Sequence, residues 1–104
     1  MTFIKAKDFT ADRAWGAMDV ATVEGASVRL HWTDQPYKWH VNEGEEVFVV
    51  LDGVVDMHTK DAAGEVTVTR MEVGEIYHAG VGDAHVAHPL GEARILVVEK
   101  PDSV

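Results

Sequence analysis

Apolar residues recur along this chain in short β-branched runs, not at the three-to-four spacing of an amphipathic helix. Residues 20–23, 26–32, 46–51, 54–59, 66–71, 75–79 and 95–99 each have the length and Val/Ile/Thr content of a strand, and turn residues flank each run. Gly beside an acidic residue punctuates them at Glu24-Gly25, Glu43-Gly44, Asp52-Gly53, Gly64-Glu65 and Gly91-Glu92. Such a rhythm predicts an all-β sandwich or barrel. Asp52-Gly53 predicts a two-residue hairpin turn, because that turn needs positive φ. Only residues 10–15 suggest a helical turn, with Thr10 as N-cap and Asp12 in the first turn. No repeat, low-complexity tract or linker divides the chain, so residues 1–104 are expected to form one domain.

Strand parity sorts the side chains further, since neighbours along a strand face opposite ways. Val55 and Met57 share one face while Asp56 and His58 take the other, which predicts that His58 faces water. Residues 46–51 are apolar on both faces, as in a strand between two layers. Glu46 shares its face with Phe48 and Val50. An unpaired buried carboxylate is expensive, so Glu46 must sit at a wet rim or meet a cationic partner.

Chemistry gathers around that glutamate. His40 and Asn42 are two apart, so an extended backbone presents both on one face, and a turn at Glu43-Gly44 brings Glu46 back beside them. Further on, Gly74, Gly80 and Gly82 frame a strand and turn that lead to His85. These stretches resemble the two motifs of the cupin superfamily, G-x5-H-x-H-x3-4-E-x6-G and G-x5-P-x-G-x2-H-x3-N. His40, Glu46 and Gly53 fall on the first motif, and Gly74, Gly82 and His85 on the second. Four positions depart: Asp34 stands for the opening glycine, Gly80 for the proline, Pro89 for the final asparagine and Asn42 for the second histidine.

The resemblance implies a double-stranded β-helix, the jelly-roll cupin barrel, and a metal held near its open end by histidines and the glutamate. The donor set is His40, Glu46 and His85 with Asn42 as a weaker fourth ligand. Imidazoles plus a carboxylate suit one divalent transition metal, Fe, Mn, Ni, Zn or Co. Exchanging an imidazole for an amide oxygen shifts the preference toward Fe(II) or Mn(II). A pocket of Phe48, Val50, Val55, Met57 and His78 is expected beside it. The function expected is metal-dependent dioxygenation, or isomerisation through an enediolate, of a small oxygenated molecule. The rivals are a non-catalytic sugar or metabolite binder with a degenerate site, and an accessory protein acting through oligomer contacts. Without a metal, Glu46 would pair with Arg29 or Arg94. By parity His31 and His88 are expected at the rim or exterior, and Trp39 behind the sheet.

Composition narrows the partners. Nine Lys+Arg against eighteen Asp+Glu give a net charge of −9, the wrong sign for nucleic acid or anionic lipid. A 46% apolar, 26% charged composition is that of a globular chain. No run approaches a membrane helix, and the charged opening stretch lacks a signal core, so a cytoplasmic location is expected. The absence of cysteine excludes thiolate chemistry. A homodimer is expected, because edge strands are commonly paired off.

Overall fold

A computed structural model describes residues 1–100. It contains one 3-10 turn, Ala6–Asp8, and nine strands: β1 Gly16–Val23, β2 Ala26–Thr33, β3 His40–Val41, β4 Glu46–Asp52, β5 Val55–Lys60, β6 Val66–Met71, β7 Ile76–Ala79, β8 Ala84–Pro89 and β9 Ala93–Glu99. They form two antiparallel sheets, in the orders β1-β2-β9-β4-β7 and β3-β8-β5-β6. This is the all-β sandwich that the strand rhythm predicts, in the jelly-roll form that the cupin resemblance implies. None of its elements is a helix long and apolar enough to cross a membrane.

The core lies between the sheets. Phe48, Val50, Ala93, Ile95 and Val97 from the five-stranded sheet meet Val55, Met57, Met71 and Ala87 from the four-stranded sheet. Alternation selects them: β4 and β9 each bury every second residue, starting from Glu46 and Ala93. Fully burying side chains of this size contributes about 1.5–3 kcal/mol each, which makes this layer the main source of stability.

Three local expectations change. Asp52-Gly53 does not close a hairpin, since β4 and β5 belong to different sheets. Gly53 does take positive φ, 84°, and a Cβ there would lie 2.4 Å from the Glu92 carbonyl oxygen. The dipeptide therefore serves a close-packed corner, a use of glycine with the same sequence signature as a hairpin. No helix forms over residues 10–15, which make a bend at 12–13 and a single turn at 14–15, closed by Gly16 N–H donating to the Arg13 carbonyl. There the Thr10 hydroxyl accepts from Arg94 Nη2 at 3.2 Å, a tertiary contact that replaces helix capping. Strand β8, Ala-His-Val-Ala-His-Pro, escapes a search for β-branched runs because pairing with β3 and β5 holds it, not propensity.

Candidate metal centre

His40 on β3 and His85 on β8 are direct cross-strand partners, while Glu46 opens β4 in the facing sheet. One ligand atom from each of the three lies within 4.8 Å of the others. The rings of His40 and His85 meet edge-on, with centroids 4.2 Å apart. Asn42 joins them: its Oδ1 lies 2.7 Å from His85 Nε2. The Asn42 amide is fixed from behind by donating to the Gly44 carbonyl, and its backbone is clamped to Gly82 and Asp83. The two glycine-bearing turns singled out in the sequence thus hold one ligand-bearing residue between them.

His85 Nε2 faces two oxygens, Asn42 Oδ1 and, at 2.9 Å, Glu46 Oε1. One ring nitrogen can donate only one hydrogen. The amide takes it, and Glu46 Oε1 is left without a hydrogen bond. Among the described residues, the buried side-chain polar atoms lacking a partner are His40 Nε2, Glu46 Oε1, His85 Nδ1 and Glu99 Oε2. All belong to this cluster or adjoin it, whereas the other buried side-chain polar atoms among the described residues have partners. Leaving such groups unpaired costs about 1–3 kcal/mol each.

Protonation states follow from burial. His40 is held below its ordinary pKa by burial first and then by the neighbouring His85, which favours the neutral ring a metal requires. Its Nδ1 lies 3.3 Å from the Lys38 carbonyl. A carbonyl can only accept, so Nδ1 carries the hydrogen and Nε2 keeps a lone pair for the cluster. His85 Nδ1 lacks such an outer partner. Glu46 pairs with Glu99 across β4 and β9. Burial pushes both carboxyls up; for Glu46 the contacts with His85 and Glu99 outweigh it and hold the group below its usual value. Glu99 goes the other way, to about 8, through burial and its hydrogen bond to Glu46. The opposite shifts favour Glu46 as the carboxylate of the pair and Glu99 as its protonated member.

Beside the cluster opens a cavity of about 170 Å³, lined by Trp15, Arg29, His31, Tyr37, Phe48, Ala87, Val97 and Glu99 together with His40, Glu46 and His85. Phe48 is the only one of the expected pocket residues on this wall. Val50, Val55 and Met57 lie one step deeper, sealed in the core at 0–1% exposure. His78 points the opposite way: Tyr77 and Ala79 face inward opposite Phe48 and Glu46, and His78 bonds Glu45 at 2.8 Å on the outside. Neither Arg29 nor Arg94 reaches Glu46, since Arg29 pairs with Asp19 and Arg94 with Asp52. Trp39 lies on the exterior beneath the Lys60 ammonium, and His58 and His88 stack there with centroids 4.0 Å apart.

His31 was expected at the rim and instead lines the cavity. Its Nδ1 lies 3.2 Å from the carbonyl of Trp15, which as an acceptor requires hydrogen on Nδ1 and leaves Nε2 as the basic nitrogen. Burial lowers its pKa. Trp15 adopts φ 60°, rare for a bulky residue. Its indole donates to the Gln35 carbonyl and meets the rings of His31 and Tyr37 edge-on, so several contacts fix the strained residue. Glu99 could have been found by the logic used for Glu46. It follows Ile95 and Val97 on one face of a strand, a carboxylate in an apolar row.

The donor set fits a divalent ion: two imidazoles and a carboxylate converge, with an amide oxygen beside them and with His40 Nε2 and Glu46 Oε1 unpartnered. No protein-family model matches the chain, and no curated protein matches it. Solved structures do. A cupin-2 domain protein from Shewanella frigidimarina superposes with TM-score 0.76 at 21% identity, covering 86% of this chain and 84% of that one. Hydroquinone 1,2-dioxygenase PnpCD in complex with Fe3+ gives 0.78 at 14%, over 88% of this chain and 29% of its own. Bacillus subtilis oxalate decarboxylase, with its Mn(II) centres, gives 0.65 at 13%, over 75% of this chain and 22% of its own. The chain has the cupin fold.

Proposed function

We propose that the protein binds one divalent transition metal through His40, Glu46 and His85, with Asn42 as a fourth, weaker ligand, and uses it enzymatically on a small oxygenated organic molecule. The observation that carries this reading is the convergence of one ligand atom from each of His40, Glu46 and His85 within 4.8 Å of one another, with His40 Nε2 and Glu46 Oε1 left without hydrogen-bond partners. The Fe3+ and Mn(II) of two structural neighbours support a metal of that class. When bound, such an ion supplies Lewis acidity toward a substrate oxygen and, if redox-active, an electron-transfer partner for dioxygen.

The chain's own residues supply the rest. Trp15, Tyr37 and Phe48 exclude water and offer flat faces to a planar substrate. His31, its hydrogen fixed on Nδ1 by the Trp15 carbonyl, presents Nε2 as a base outside the metal-ligand set. Protonated Glu99 steadies Glu46 as a carboxylate, so that Glu46 is a ligand at neutral pH. The activity proposed is dioxygenase- or isomerase-like. The reading includes a cytoplasmic homodimer, with β1 and β7 ending one sheet and β3 and β6 the other.

The short Asn42–His85 bond favours one alternative, a small-molecule binder whose polar cluster closes on itself without metal. Elemental analysis of protein purified without a chelating tag separates the two. About one ion per chain, lost in both His40→Ala and His85→Ala, is the expected result. A wild-type protein that refuses added Fe(II), Mn(II), Co(II) and Zn(II) supports the binder.

A further inference from the structure

Cross-strand pairing arranges the inner face of the five-stranded sheet in rows. Glu99 and Glu46 form one row; Arg29, Val97 and Phe48 form the next. Arg29 is the only lysine or arginine lining the cavity. It stands two strands from Phe48, roughly 10 Å at ordinary strand spacing, with the small apolar Val97 between. Its guanidinium is only partly used: Nε donates to Asp19 Oδ1 at 2.9 Å, and neither Nη group has a partner among the described residues. Asp19 is 83% exposed, so the pair is a solvated contact of little weight that steadies the fork without neutralising its open edge. A guanidinium whose Nη1–Nη2 edge is free matches a carboxylate in shape and charge. The net charge of −9 repels anions at long range, so holding one here requires a local cation.

We propose that the cavity selects a small carboxylic acid, its carboxylate on the Nη edge of Arg29, its body across Val97 and Phe48, and an oxygen at its other end toward His40, Glu46 and His85. This deepens the metal-enzyme reading and rests on it for that last contact only. The cavity volume of about 170 Å³, below the roughly 300–1,000 Å³ of pockets for drug-sized ligands, confines the acid to a single ring or a chain of comparable size.

The test compares 3,4-dihydroxyphenylacetate with its primary amide, which keeps the metal-seeking catechol and removes the anion. Binding is titrated by calorimetry on Co(II)-loaded and metal-free protein, and the visible Co(II) spectrum reports contact with the metal. The acid should bind roughly ten- to a hundredfold tighter than the amide, the range of a charge-assisted hydrogen-bonded pair. Arg29→Gln should bring that ratio to near one by weakening the acid far more than the amide, and Arg29→Lys should restore part of it. A ratio near one in the unmodified protein, or one that survives in Arg29→Gln, overturns the proposal whatever the cobalt does. Failure to hold Co(II), or a spectrum indifferent to the catechol, refutes the metal reading alone. The acid-to-amide ratio on metal-free protein then decides the role of Arg29, and failure of both compounds to bind overturns it. The wild-type ratio needs no variant, so a poorly folded Arg29→Gln does not spare the proposal.

Discussion

Strands β4 and β9 each cross two regions that differ in kind. At one end their inward side chains are Val50, Ala93 and Ile95, fully buried and apolar. Two steps along the same faces stand Glu46, buried, and Glu99, half-buried, both polar and with atoms left unpaired. The backbone pairing that delivers them is continuous through both regions. The apolar end gains free energy from every side chain it hides, whereas the polar end loses some through each unsatisfied group. Stability and chemistry are therefore separable along single strands, and substitutions at the two ends should fail in different ways.

The sharpest break comes from the apolar end. Ile95→Ala removes a fully buried side chain from the centre of the core cluster. It should cost about 2–5 kcal/mol, lowering Tm by roughly 10 °C or more for a domain of this size. Calorimetric scanning reads the loss. Metal stoichiometry in the folded fraction should not change, and a metal-free but folded Ile95→Ala protein would show that the two ends are not independent.

At the polar end, Glu99→Gln should do the reverse. The Glu99 carboxyl titrates near 8 in the folded chain against 4.5 for its ordinary value. Between those pH values the folded state binds the extra proton, so this group's contribution to stability falls as pH rises. Replacing it with an amide removes that slope. In chelator-treated protein the Tm of Glu99→Gln minus that of the parent should grow from pH 5 to pH 8, and a flat difference would refute a protonated Glu99. The effect should be smaller than that of Ile95→Ala, because Glu99 is only half-buried and solvent moderates its cost.

The smallest effect belongs to His78, a residue of the same sheet on its outer side. His78→Ala removes an exposed pair with Glu45, worth about 0–1 kcal/mol. Metal content and ligand affinity should stay as in the parent, and a loss of either would extend the site through β7 to the exterior.

Much of this contrast was legible in the chain itself. Glu46 declared itself as a carboxylate in an apolar row, the spacing of His40, Asn42 and Glu46 anticipated their meeting, and the cupin resemblance added His85. The depth of the cavity was not legible: Val50, Val55 and Met57 share a face with pocket residues, and only packing decides that the opening stops at Phe48. Strand β2 misled for a different reason. Its apolar Leu30 and Trp32 mark what looks like the core side, yet they are buried on the outer side of the sheet. Arg29 and His31 face the cavity because the inner surface there is a binding wall and not a packed layer. His78 was placed inward because Ile76 and Tyr77 offer parity no clear preference, and the register with β4 chose Tyr77.

The candidate donors are divided between the sheets, His40 and His85 on one and Glu46 on the other, and the division bears on kinetics. A half-formed sandwich offers the two imidazoles or the carboxylate but never all three, so the full set waits for the layers to dock. An ion held as we propose would bridge the docked layers as a latch and retard their parting more than it speeds refolding.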